Sequence, residues 1–87
     1  MNHRQNQTAF TLINKIQNHL LKKHKSCKEL DLSYADLIYY VSSSYPEELE
    51  KTLHQSISIR NRVFRSVLIS YKELQAVRGL AQSLKVI

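Results

Sequence analysis

The sequence holds one glycine, one proline, one cysteine and no tryptophan. Each scarcity argues against something. Hairpin turns draw on glycine and proline, so a fold of many short strands is disfavoured and helices with short connections are favoured. A lone Cys27 cannot close an internal disulfide. The opening MNHRQNQTAF has no apolar core of a signal segment, so the expected compartment is a reducing cytoplasm. No apolar run nears the ~20 residues that a membrane-spanning helix needs, which leaves peripheral contact with the inner membrane face open. With Gly79 as the sole glycine there is no phosphate-cradling loop. His3, His19, His24 and His54 lack metal-ligand spacing, and no residue pair reads as nucleophile and base. The expectation is a protein that is not an enzyme and has no cofactor or metal.

What is present is basic charge in blocks. Residues 1–28 carry six cations and no acid, residues 29–50 six acids and no Lys or Arg, and residues 51–87 seven cations against Glu73. The blocks amount to +6, −6 and +6. One reading is an acidic middle packed between basic ends, each exposed pair being worth less than ~1 kcal/mol. The other is a basic surface for anionic lipid, nucleic acid or an acidic protein face.

Hydrophobic residues make up 43% of the chain, ordinary for a folded domain, and 87 residues allow one domain. Four amphipathic helices are expected, over about 8–25, 33–43, 46–66 and 70–84. In the first, Ala9, Leu12, Ile13, Ile16, Leu20 and Leu21 recur at helical spacing, with Phe10 flanking. Thr8 is its expected N-cap, the residues before it are expected to fray, and Lys22, Lys23, His24 and Lys25 suit the negative end of the helix dipole. The stretch from Ser26 to Leu32 reads as a connection. It places Cys27 among polar residues, a bystander thiol rather than a reactive one.

Ser33 and Asp36 match a capping box, with Leu37, Ile38 and Val41 following as a core face. In SSSYPEE, Ser44 reads as the cap of the third helix, with Pro46 in its first turn. Leu49, Leu53, Ile57, Phe64 and Val67 mark that helix's expected core face, with Arg60 in the seam and a weak stretch at Gln55–Ile59. SISIRNRVF partly alternates, but a lone strand has no partner here. Glu47, Glu48 and Glu50 open the helix that a helix-turn-helix reader would press on phosphate, which argues against that motif. Ser70 and Glu73 form a further capping-box match, with Leu68 or Ile69 placed as a hydrophobic staple. Leu74, Val77, Ala81 and Leu84 then form a stripe widened by Ala76 and Leu80. Gly79 either lets another helix approach or is simply tolerated, at ~1 kcal/mol against Ala. Short links make an all-α, antiparallel, up-down-up-down four-helix bundle the most economical fold.

From Phe10 to Leu84 the chain resembles the immunity proteins that protect lactic acid bacteria against class IIa (pediocin-like) bacteriocins. Four places carry the likeness: LINKIQNHLLKKH, the Pro46-Glu47 turn, the run Asn61-Arg62-Val63-Phe64, and LISYKELQAVRGLAQSL. The resemblance implies an antiparallel four-helix bundle in the cytoplasm. It would act on the complex of bacteriocin with the membrane subunits of the mannose phosphotransferase permease. Specificity would lie in the C-terminal half, here the exposed face of Arg62, Arg65, Lys72, Arg78 and Lys85 with Tyr71. Anionic inner-leaflet lipid would concentrate such a basic protein near that target. Exchanging Arg62 and Arg65 for Glu is expected to spare the fold. The family's members carry a tail beyond the last helix. The sequence stops at Ile87, which implies either a dispensable tail or altered specificity. The competing expectation is a small basic regulator that binds nucleic acid or a transcription factor.

Overall fold

A computed structural model describes residues 3–87. All regular structure among them is helical: α1 (His3–Lys23), a single turn α2 (Lys25–Lys28), α3 (Tyr34–Val41), α4 (Glu47–Phe64) and α5 (Tyr71–Ser83), with a 3₁₀ turn at Ser42–Ser44 before α4. SISIRNRVF is continuous helix within α4, as expected.

α1 begins earlier than sequence patterning places it, and α4 begins within a residue of its expected start but without its expected cap. α1 is already formed at His3, so Thr8 is interior rather than a cap, and its hydroxyl donates to the Arg4 carbonyl at 2.9 Å. Residues 3–7 are therefore helical rather than frayed, while Met1 and Asn2 lie outside the described residues. Asn6 explains the extension. Its amide nitrogen donates to the Val67 carbonyl at 2.9 Å, and its amide oxygen accepts from the Ile69 N–H at 3.1 Å. That side chain is buried and ties the first turns of α1 to the link before α5.

At α4, Ser44 is taken up by the 3₁₀ turn and caps nothing; the N-cap is Pro46, which offers no side-chain acceptor. Glu47, Glu48 and Glu50 in the first turn face the positive end of the helix dipole instead. By contrast, Ser70 caps α5 as expected. Its hydroxyl accepts from the Glu73 N–H at 3.1 Å, and the Glu73 carboxylate accepts from the Ser70 N–H at 2.9 Å. Ile69 is buried just ahead of this box, in the same core as Leu74, and fills the staple position. At α3 the Ser33 hydroxyl accepts from the Asp36 N–H at 3.2 Å.

One core runs through the protein. Ala9, Leu12, Ile13, Ile16 and Leu20 of α1 meet Leu74, Val77, Leu80 and Ala81 of α5, and Leu37, Ile38 and Val41 of α3 join them. The α1 and α5 stripes are those the spacing predicts. The face of α4 is not: it buries Leu53, Ser56, Ile59 and Val63, while Phe64 and Val67 are exposed. Ser56 can turn inward because Tyr34 supplies a polar partner. The two hydroxyls lie 2.8 Å apart, and Ser56 also donates to the Leu53 carbonyl. The Tyr34 hydroxyl is thus the donor to Ser56, and burial pushes its pKa up. Cys27 is also fully buried in this core, a correction to its expected place among polar residues of a connection.

The helix directions depart from up-down-up-down. Phe10 of α1 stacks on Phe64 near the end of α4, whereas His24 just after α1 reaches Tyr45 just before α4. α1 and α4 are therefore antiparallel. Asn6 holds the link that precedes α5, so α1 and α5 start at the same end and run the same way. The stretch from His24 to Ser33 is no tight turn. His24 lies by Tyr45 just before α4, whereas Tyr34 opens α3 beside Ser56 in the middle of α4, so the chain passes back along α4 before α3 begins.

With its one glycine in mid-helix, the chain adopts left-handed backbone at Asp31 (φ 50°), Ser66 (φ 59°) and Lys85 (φ 60°). The last two end α4 and α5 in the same way. Val67 N–H bonds to the Arg62 carbonyl and Ser66 N–H to that of Val63; Val86 N–H bonds to the Ala81 carbonyl and Lys85 N–H to that of Gln82. Both are Schellman motifs without their usual glycine. A Cβ added at Gly79 would meet nothing within 4 Å, so no helix approaches there and the residue is merely tolerated.

Two measurements follow. Asn6→Ala strips a part-buried carbonyl and a buried N–H of their partners and should cost about 1–3 kcal/mol in urea unfolding. Gly79→Ala and Ser66→Gly should each raise stability by about 0.5–1 kcal/mol, read as a higher urea midpoint at unchanged slope.

Candidate functional site

The arginines of α4 share one helix and differ in what they touch. Arg60 lays its guanidinium over the Phe64 ring, 3.9 Å from the centroid, and lies 6.0 Å from that of Tyr34. Its Nε is buried without a hydrogen-bond partner, a cost that the stacking offsets. Arg62 points the other way, towards α5. Its Nη1 donates to Glu73 Oε1 at 3.2 Å, and its Nη2 forms an ion pair with Oε2 of the same carboxylate. Arg65, at the C-cap of α4, is exposed.

Glu73 therefore does two things at once. It closes the capping box on the Ser70 N–H and receives the Arg62 guanidinium. This fixes the angle between α4 and α5. It also removes Arg62 from the set of free cations. The expectation that Arg62→Glu spares the fold is corrected: it would set two carboxylates against each other at a half-buried joint.

The other expected contact residues are spread along α5. Tyr71 and Lys72 are exposed in its first turn. Arg78 is half-buried, two turns on and on the same stripe as Tyr71. Lys85 is exposed beyond the end of the helix, about 20 Å from Tyr71 by helical rise. Arg62, Lys72 and Glu73 line one shallow groove between α4 and α5, over Ile59 and Ala76. Arg65, Tyr71 and Lys72 thus gather around the α4–α5 joint, while Lys85 belongs to the opposite end.

Patterning alone missed two other polar clusters. Where α1 gives way to α2, His24 Nε2 and the Tyr45 hydroxyl are 3.1 Å apart, with the Lys23 ammonium 5.6 Å from the centre of that ring. Burial, then the charges of Lys23 and His19, hold the His24 pKa below its ordinary value. Beside α3, His54 Nε2 meets the Ser42 hydroxyl at 3.1 Å, and its ring packs against Tyr39 at a tilt of 58°. The partners are 21 and 12 residues apart, and no local spacing rule flags them. Among the described residues no three His, Cys, Asp or Glu side chains come together as metal ligands would. Nor is any helix among them long and apolar enough to cross a membrane.

In comparisons with known proteins, the chain matches no family model, no curated protein and no solved structure. The reading of function therefore rests on the residues and their geometry.

The ion pair has a direct check. Arg62→Glu should lower stability by about 1–2 kcal/mol, because it removes a paired charge and places a like charge against Glu73, both partly screened by solvent. The same exchange at Arg65 should change stability by less than about 0.5 kcal/mol. Chemical unfolding of the two variants side by side measures the difference.

Proposed function

We propose that this protein is a helical interaction protein of the pediocin-like immunity type. It would give its cell protection against such a peptide from the cytoplasmic side, on the complex of bacteriocin with the mannose permease. The observation that carries the reading is the α4–α5 hairpin. It is locked by Ser70, Glu73 and Arg62, exposes Arg65 and Tyr71 at the joint, and has Lys72 on the edge of a shallow groove. A rigid joint with exposed cations and an aromatic side chain suits docking to a protein surface, since little order remains to be imposed on binding. LISYKELQAVRGLAQSL, the stretch most like the family's final helix, builds this hairpin.

On this reading α1, α3, α4 and α5 are a variant of the family's four-helix bundle, with α1 and α5 running the same way. Arg78 borders the contact through its place on the Tyr71 stripe, and Lys85 lies outside it. Arg62 supports the joint rather than touching the partner.

Expression in a sensitive strain, challenged with a panel of pediocin-like peptides, tests the proposal. Protection against at least one peptide is expected, and so is its loss, with the fold intact by circular dichroism, on combining Tyr71→Ala with Lys72→Glu. Failure to protect against any peptide would overturn it.

A further inference from the structure

At the end of the protein where α1 and α5 begin and α4 finishes, apolar side chains stand exposed among arginines. Phe10 and Phe64 stack with their ring centroids 5.0 Å apart, yet remain 43% and 44% exposed. Val67, in the turn that follows, is 44% exposed. No other element covers them. Arg60 lies over the Phe64 ring, Arg4 is exposed two residues before the Asn6 clamp, and Arg65 is exposed beside the turn. None of these three arginines forms an ion pair with a carboxylate, for the one salt bridge among the described residues is that of Arg62. The carboxylates of α4 itself sit in its first turn, about 25 Å from Phe64 by helical rise.

From this juxtaposition we propose that this end docks on an anionic lipid surface. Phe10, Phe64 and Val67 enter the headgroup boundary, while Arg4, Arg60 and Arg65 lie among the lipid phosphates. Aromatic and aliphatic side chains ringed by cations are the chemistry that such an interface takes up, and a neutral protein groove would leave the arginines unmatched. At the far end Glu47, Glu48 and Glu50 lie near Lys22, Lys23, Lys25 and Lys28 and the charges offset, so it is the exposed apolar trio that sets this end rather than the other against the surface. Arg60 is suited to this place because its stack on Phe64 keeps the guanidinium flat against the ring as the ring enters the interface. The proposal does not rest on the immunity reading, and its central residues differ from Tyr71 and Lys72.

Co-sedimentation of the whole protein with vesicles tests it, using equal parts of phosphatidylglycerol and phosphatidylcholine against phosphatidylcholine alone. Binding to the anionic vesicles only is expected, and it should weaken as salt is added. Phe10→Ser with Phe64→Ser should weaken it about tenfold. Arg4→Gln with Arg65→Gln should weaken it about thirtyfold at roughly one charge contact each. Glu47→Gln with Glu48→Gln should not weaken it. Each variant is first checked for native helicity, which half-exposed positions should keep. Absence of binding to the anionic vesicles would overturn the proposal, as would equal binding to both kinds. So would binding that ignores the phenylalanine pair, since that would be charge attraction without insertion. Retention of duplex DNA with no retention of vesicles would give the arginines to nucleic acid and overturn it too. Vesicle binding without protection against bacteriocin would count against the immunity reading alone, and protection without vesicle binding against this one alone.

Discussion

Six residues, Arg65 to Ser70, turn the chain between α4 and α5, and at Ile69 that backbone enters the core. Buried N–H and carbonyl groups there need partners, and much of the fold is arranged around supplying them. Val67 N–H goes back to Arg62 in the helix that is ending. The Val67 carbonyl and the Ile69 N–H both go to Asn6, on a helix more than sixty residues earlier. Ser70 N–H goes forward to Glu73 in the helix that is starting. Because the partner of two of these groups comes from α1, the joint between α4 and α5 also decides where α1 lies and which way it runs.

The helical character of the protein was legible in its sequence, and so were the apolar stripes of α1 and α5 and the capping box at Ser70. These are local properties: a period, a cap, a residue three places on. What was not legible depended on partners from elsewhere. Asn6 looked like part of a polar, fraying start because its value lies in the backbone of Val67 and Ile69. Ser56 looked like a weak point of α4, yet Tyr34 makes it a core position. Phe64 looked like core, but Phe10 and Arg60 satisfy it at the surface. The direction of α1 relative to α5 has no signature in either helix.

The candidate surface was legible as a list of charged residues and not as an arrangement. Formal charge treats Arg60, Arg62 and Arg65 alike. Their surroundings divide them into a cation lying on aromatic rings, one held by a carboxylate, and one in water. The basic C-terminal block therefore offers fewer free cations than its count suggests. Of its exposed cations, Lys72 lies on the outer side of the hairpin and Arg65 at the phenylalanine-bearing end, while Lys51 and Lys85 lie towards the opposite end.

The long reach of Asn6 also sets an order of events during synthesis. This side chain leaves the ribosome among the first and its partners among the last, so α1 can form early but cannot be locked in place until nearly the whole chain has emerged. Until then its apolar stripe lacks the α5 surface that later covers it. Premature release of a chain lacking its last twenty residues would leave that stripe open, and truncated products of this protein would be the ones to aggregate or to be degraded.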